Sequence, residues 1–283
     1  RRGTAPGLVC PVGDKVIYAV PGVPYELYEM FERGILPDLL KRSGSASVIA
    51  SRTLRTWGES ESGLNERLFD VIDELEKAGN PTLAFLASGW EGIKVRLTAK
   101  ATTTAEVSTL LDEWDAKVRH AVGDIVFGID NDTMESVVLN MMRERGLTLG
   151  LAESVTGGLV SGRLTNIAGS SDVLRGCVVS YASEVKFDVL GVTNGPVVSE
   201  EAAIEMAKGA QRVLGASVGL ALTGVAGPAD QEGLKPGTLC VGLALPDGST
   251  QSAMLQLPGN RDTMRQLSVI SALDLLRRAL RAI

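Results

Sequence analysis

The stretch TLGLAESVTGG, residues 148–158, runs an apolar strand into a polar turn and a pair of glycines. Leu149, Leu151 and Ala152 read as a strand buried in a sheet. Glu153, Ser154 and Thr156 stand where that strand ends. Gly157 and Gly158 let the backbone approach a ligand closely. A helix over 157–165 would point its free N–H groups back at the same place, which suits a phosphate or an oxyanion. A plain helix cap uses the same letters. The surrounding sequence has to decide between the two.

From about residue 129 onward, helical and strand patterns alternate. Asp132 and Glu135 form a capping-box-like start. Met134, Val137, Val138 and Met141 make an apolar stripe of core type, and Gly146 closes the helix. Strands are expected at 147–152, 175–181, 217–222, 238–245 and 251–257. Helices are expected at 157–165, 184–190, 200–214 and 261–281. This is an α/β pattern with a mixed sheet: parallel crossovers first, an antiparallel pair near the end. The segment 47–128 reads βαββαβ, a small α+β domain with two helices on one face. Its amphipathic helix carries Leu64, Leu68, Val71, Ile72 and Leu75 and ends at Gly79. It has no G-x-x-G loop with basic flanks and reads as a spacer or interaction module. Residues 43–47 form a polar linker. Residues 1–42 give a strand (KVIYAV), a turn and a helix with Pro24 at its first position. One strand and one helix do not make a domain. The chain also opens on Arg1 rather than Met, so a fragment of a longer protein is expected.

Composition removes several classes of function. The 283 residues are 45% apolar and 22% charged, which is ordinary for a globular protein. The net charge of −6 argues against a broad nucleic-acid footprint. No apolar run reaches the roughly 18–20 residues of a membrane span, and no signal peptide is read at the N-terminus. Cys10, Cys177 and Cys240 are odd in number and far apart, which fits a reducing cytoplasm better than a disulfide framework. The one histidine, His120, sits in a helical pattern far from any nucleophile motif. An H-E-x-x-H metal site is impossible, and a serine nucleophile here needs a base other than histidine.

Ligands of open α/β sheets bind at the carboxyl ends of strands, and three predicted strand ends turn polar. The first carries Glu153, Ser154, Thr156, Gly157 and Gly158. At the second, Tyr181 ends a strand, Ser183 can cap the next helix, and Lys186 falls in its first turn. A lysine at the positive end of a helix dipole is biased toward the neutral amine, and burial would add to that bias. A neutral lysine can take a proton from a serine hydroxyl. At the third, Thr223 and Gly224 follow an apolar strand and could meet an oxyanion. Arg261 opens the last helix as a candidate anion contact. A capping turn, a solvated lysine and a simple turn explain each feature singly. Together they point to acyl transfer by serine with lysine as base.

The motifs AESVTGGLVSGRLTNIAGSSDVLRGCVVSYASEVKFDVLGV, VVSEEAA, TGVAGP, KPGT and GNRD occur in that order. Over residues 129–283 the chain closely resembles the C-terminal domain of the CinA family. Residues 53–128 resemble that family's KH-like middle domain, and GTAPG with VPGVPYELYEMF resembles the end of its molybdopterin-binding-like first domain. The resemblance implies a three-layer α/β domain and an amidohydrolase that converts nicotinamide mononucleotide to nicotinate mononucleotide and ammonia, without a cofactor. It implies Ser154 as nucleophile, with Lys186 and Tyr181 as activating partners. Thr223, Gly224 and Arg261 become oxyanion or substrate contacts. Thr156, Gly157 and Gly158 would receive the phosphate, with Glu153 orienting or capping the turn. It also implies a homo-oligomer, and the Gly/Ala-rich helix EEAAIEMAKGAQRVLG is a candidate for close packing. Two departures stand out: Val155 replaces a usual Cys, and KPGT replaces K-P-V-G-T, which reads as a shortened loop. Two other roles attach to the family. One is a non-catalytic module associated with competence and recombination. The other is ADP-ribose hydrolysis, which needs upstream residues absent from this sequence.

Overall fold

The computed structural model describes residues 5–44, 47–87 and 89–282. Gly3 and Thr4 of the GTAPG motif, Ser45 and Ala46 of the linker, and Ser88 lie outside the described residues. The chain divides into two compact units, 1–50 with 100–109 and 51–99 with 110–283.

In the first unit β1 (Leu8–Val12) and β2 (Lys15–Ala19) form an antiparallel hairpin. The sequence pattern showed only the second strand, because Pro11 interrupts the first. A two-stranded ribbon consists only of edges, where a missing N–H is tolerated. Helix α1 (Pro24–Met30) starts on Pro24 as expected. The continuous helix expected after it widens into a π turn over Phe31–Ile35 before α2 (Leu36–Ser43). Pro37 offers no N–H to the carbonyl four residues back, so the ladder changes register there.

The α+β segment follows as β3 (Val48–Thr56), α3 (Glu61–Arg67), α4 (Phe69–Ala78), β4 (Thr82–Ala87), β5 (Ile93–Ala101), α5 (Thr104–Val122) and β6 (Val126–Ile129). Its sheet has the order β4-β5-β3-β6. The helix expected over 60–79 breaks at Leu68, yet Leu64, Leu68 and Leu75 are all buried. His120 lies exposed at the end of α5.

The α/β domain comprises α6 (Met134–Glu144), β7 (Leu149–Glu153), α7 (Leu159–Thr165), β8 (Leu174–Val179), α8 (Ser183–Asp188), α9 (Glu200–Leu214), β9 (Val218–Gly224), β10 (Thr238–Ala244), β11 (Thr250–Gln256) and α10 (Arg261–Arg281). The capping box of α6 is Thr133 with Ser136, not Asp132 with Glu135. Asp132 instead accepts the Ile129 N–H at 2.8 Å, and Glu135 pairs with Arg163. The five strands take the order β11-β10-β9-β7-β8. β7 runs parallel to both neighbours, while β9–β10 and β10–β11 are antiparallel.

The two faces of this sheet differ in residue size, and that sets the layers. Leu149, Leu151, Leu220, Leu222, Leu239, Val241 and Leu243 meet α6, α7 and α10 in one large core. Each such side chain contributes about 1.5–3 kcal/mol when fully buried. Ala152, Ala221 and Ala244 meet Ala207, Ala210 and Met206 of α9 in a second core. Glycines let α9 lie close: a Cβ on Gly242 would collide with the Ala203 carbonyl, and one on Gly219 with that of Ala207. The small residues of α9 are therefore used inside the chain, against the expectation that they pack between copies. Helices on both faces make three layers. Among the described residues no helix is long and apolar enough to cross a membrane.

Strand order turns back at β7: the chain steps to β8 on one side and crosses to β9 on the other. Such a switch point opens a crevice at the carboxyl ends of the strands. The antiparallel β10 begins at that end, and β11 finishes there, so α10 starts there as well. Four polar points far apart in sequence thus converge on one edge of the sheet.

Candidate active site

Ser154 is the first residue past β7. Its N–H donates to the Leu222 carbonyl at 2.9 Å, which fixes the turn to β9. The Ser180 N–H donates to the Glu153 carbonyl at 2.8 Å, which fixes the end of β8 on the other side. Ser154 is half-buried, so its hydroxyl can be reached. Lys186 Nζ lies 3.0 Å from Ser154 Oγ and donates to the Ser180 carbonyl at 2.8 Å. Lys186 is 2% exposed, one of the largest buried side chains of the chain. Burial pushes its amine below the ordinary lysine range; the carboxylates of Glu232 and Glu184 oppose that shift less strongly. The dipole explanation offered by the sequence does not carry over. α8 has six residues, Lys186 is the fourth, and Ala182 rather than Ser183 is the N-cap, without a side-chain cap bond.

Glu153 has a definite role. Its buried carboxylate accepts the N–H groups of Gly158 (3.0 Å), Val160 (3.0 Å) and Ser161 (2.8 Å), and the Cys177 thiol at 3.4 Å. The Gly157 N–H donates to the Ser154 carbonyl at 3.0 Å. The N–H groups of Gly157 and Gly158, two of the three residues expected to receive a phosphate, are therefore occupied from within the chain. Gly157 and Gly158 serve instead to turn the backbone, with φ of +60° and +95°. By contrast, the Val155 and Thr156 N–H groups, next to Ser154, have no acceptor among the described residues. Thr156 Oγ1 and Ser180 Oγ are buried without a hydrogen-bond partner. Two of the four such atoms among the described residues thus belong to residues beside Ser154 and Lys186; the other two are Arg55 Nε and Arg277 Nη1.

Of the remaining predicted residues, Tyr181 and Arg261 form an exposed rim. Tyr181 is exposed, and its hydroxyl accepts from Arg261 Nη2 at 2.7 Å. It makes no hydrogen bond to Ser154 or Lys186, so the geometry moves it from the dyad to the rim. Arg261 Nη1 donates to the Gly227 carbonyl at 3.0 Å and so pins the loop after β9. Thr223 is buried and donates its hydroxyl to the Val197 carbonyl at 2.7 Å, which leaves it no proton for an oxyanion. Gly224 sits in the ladder opposite Leu239, where a Cβ would collide with the Thr238 carbonyl.

Three residues were not found from the sequence. Arg265, one turn after Arg261 on α10, donates from Nη2 to the Thr156 carbonyl at 2.7 Å. Its i+4 spacing from Arg261 was the available signal. Ser180 supplies the carbonyl that holds Lys186. Glu232 accepts the N–H groups of Val197 (3.1 Å) and Val198 (3.0 Å) from the loop before β10. A separate cavity of about 170 Å³ is lined by Arg55, Trp90, Glu91, Glu135 and Arg163. Its charges are largely met as the pairs Arg55–Glu91 and Arg163–Glu135.

Residues 131–280 match the family model of the CinA C-terminal domain, and residues 51–128 match that of the damage-inducible protein CinA KH domain. A CinA-like protein of Frankia casuarinae is 48% identical over 98% of this chain, and one of Dictyoglomus turgidum 37% identical over 98%. The chain spans 65% and 67% of those two relatives, about two thirds of their length. Among solved structures, the CinA superfamily protein of Klebsiella pneumoniae superposes with a TM-score of 0.51 at 27% identity, over 53% of this chain and 97% of that one. The competence/damage inducible protein CihA of Agrobacterium tumefaciens gives 0.50 at 32% identity, over 52% and 93%. With the strand-end site and both family models in the same order, the chain belongs to the CinA family.

Proposed function

We propose that the α/β domain is a serine amidohydrolase that converts nicotinamide mononucleotide to nicotinate mononucleotide and ammonia. One observation carries the chemistry: a buried lysine amine, biased toward its neutral form, lies 3.0 Å from a reachable serine hydroxyl. Neutral Lys186 takes the proton of Ser154 as Oγ attacks the carboxamide carbon. The N–H groups of Val155 and Thr156 are the oxyanion donors, the first being the residue after the nucleophile. As the C–N bond breaks, the Lys186 ammonium returns its proton to the leaving nitrogen, and ammonia departs. Water then attacks the acyl ester and gives a proton to Lys186. Ser154 Oγ leaves the acyl carbon and takes that proton back from Lys186. The carboxylic acid product then loses its own proton to solvent, where the released ammonia takes one up. The dyad ends each turnover in its starting protonation state, so no cofactor is needed.

The identity of the substrate rests on the family resemblance and on the rim. With the α7 N–H groups filled by Glu153, the anionic end of the substrate falls to Arg265 and Arg261. Tyr181 lies beside them as a surface for the ring. The three unpaired cysteines fit a reducing compartment such as the cytoplasm. Self-association is retained as a proposal without the α9 contact.

A serine-directed phosphonofluoridate probe tests the nucleophile. Ser154 gains the adduct in the native protein, seen by peptide mass, and the Lys186→Ala variant labels at least a hundredfold more slowly, in line with the loss of a general base. Equal labelling of both proteins removes the lysine-base reading.

A further inference from the structure

The loop between β9 and β10 holds a residue that the reaction scheme does not use. Glu232 has a φ of +53°; among the described residues Asp130 is the other non-glycine with positive φ. Glu232 and Gly233 (φ +78°) are the central residues of a tight turn. Reciprocal bonds close it, Gln231 N–H to Leu234 O at 3.1 Å and Leu234 N–H to Gln231 O at 2.8 Å. Positive φ at both central positions is the signature of a type I′ turn, which favours Asn, Asp or Gly first. A glutamate there holds an unfavourable backbone conformation, and such strain persists where the surroundings over-determine it.

The carboxylate supplies the reason. One oxygen accepts the Val197 N–H and the other the Val198 N–H. The Val197 carbonyl in turn receives the Thr223 hydroxyl at 2.7 Å, at the end of β9. A short buried strip of backbone is therefore held from both sides, by the loop and by the strand that ends at the site. Glu232 also lies within Coulomb reach of Lys186. The Lys186 amine touches Ser154 from the β7 turn and the Ser180 carbonyl from the end of β8, and the charged groups within its Coulomb reach are Glu232 from the loop and Glu184 from its own helix.

We propose that Glu232 is a positioning residue of the site: its carboxylate clamps residues 197–198 against Thr223, next to the Leu222 carbonyl that holds the Ser154 N–H, and lies within Coulomb reach of the Lys186 amine. The loop of residues 226–237 and the dyad are thereby set together, and the strained turn is retained because a shorter side chain at its tip would not reach both N–H groups. The proposal rests on the Ser154–Lys186 reading. It adds a carboxylate that tunes the base: without it, the amine stays neutral to lower pH.

The test is the pH dependence of Ser154 labelling by the phosphonofluoridate probe in native protein, Glu232→Gln and Glu232→Gly. Glycine accepts positive φ, so the turn still forms in that variant, and circular dichroism checks the fold. In both variants the acid limb of the labelling rate moves to lower pH. At a fixed pH on that limb, the rate relative to its own plateau rises about threefold or more. The plateau falls more in the glycine variant, which loses the clamp entirely. A merely structural loop residue would lower the plateau and leave the limb in place, so an unmoved limb in both variants overturns the proposal. Absence of labelling in the native protein at every pH overturns the dyad itself, and this proposal with it.

Discussion

Replacing Glu153 tests the local architecture most sharply. Its carboxylate is the acceptor for three backbone N–H groups at the start of α7, one residue before Ser154. In Glu153→Ala the Val160 N–H is left buried without an acceptor, at a cost of about 1–3 kcal/mol. Gly158 and Ser161 are partly exposed and can turn to water, so each loses about 0.5–1.5 kcal/mol. The relief of no longer burying a carboxylate offsets part of this, which leaves roughly 3 kcal/mol. For a domain of about 150 residues, 1 kcal/mol moves Tm by roughly 2–4 °C, so the variant should melt about 6–12 °C below native. Glu153→Gln keeps one carbonyl oxygen, able to accept the bonds now made to Oε2. It turns an NH2 group toward the Ser161 N–H and should lose about half as much. Differential scanning fluorimetry of the three proteins at neutral pH gives the answer. A Glu153→Ala protein melting within about 2 °C of native would refute the claim that this carboxylate replaces an external anion at the helix start.

Other outcomes follow from the same geometry. Lys186→Ala should keep the fold and lower turnover by about 10²–10⁴-fold, the worth of a positioned general base, measured by ammonia release. In the native enzyme kcat/KM should rise with pH through the lowered pKa of Lys186 and be lost below it, because only the neutral amine can take the serine proton. Arg261→Ala should raise KM more than it lowers kcat, since Arg261 holds the Tyr181 hydroxyl and the Gly227 carbonyl rather than the reacting atoms. Thiol alkylation at pH 8 should mark exposed Cys10 first, because burial pushes Cys177 up to about 12 and Cys240 up to about 11.

The parts of the fold legible in the sequence are those written in local pattern. Apolar runs such as Leu149 to Ala152, and the caps at Ser199 and Gly215, place α9 and the buried strands within a residue or two. The cap of α6 slipped by one residue because Asp132 and Thr133 are both good N-cap types, and only the reciprocal bond with Ser136 chooses between them. Ser154 and Lys186 were legible as residue types at strand ends, and the fold brings them within 3.0 Å. The cause of the lysine's bias was not, because burial of Lys186 is created by packing that no local pattern records. Thr223 illustrates the same limit: a hydroxyl at a strand end invites an oxyanion role, and a carbonyl 26 positions upstream takes its proton. Glu232 and Arg265 act across 34 and 109 positions of chain, on Val198 and Thr156, and beyond the i+4 spacing of Arg265 from Arg261 no local pattern marks them.

Ammonia release from nicotinamide mononucleotide by the native chain and its Ser154→Ala variant is the most direct test of the dyad. The geometry predicts steady release by the native protein and release at the uncatalysed rate by the variant, with both proteins folded. Equal release by the two would contradict a serine nucleophile, and no release by a folded native protein would contradict the amidohydrolase assignment.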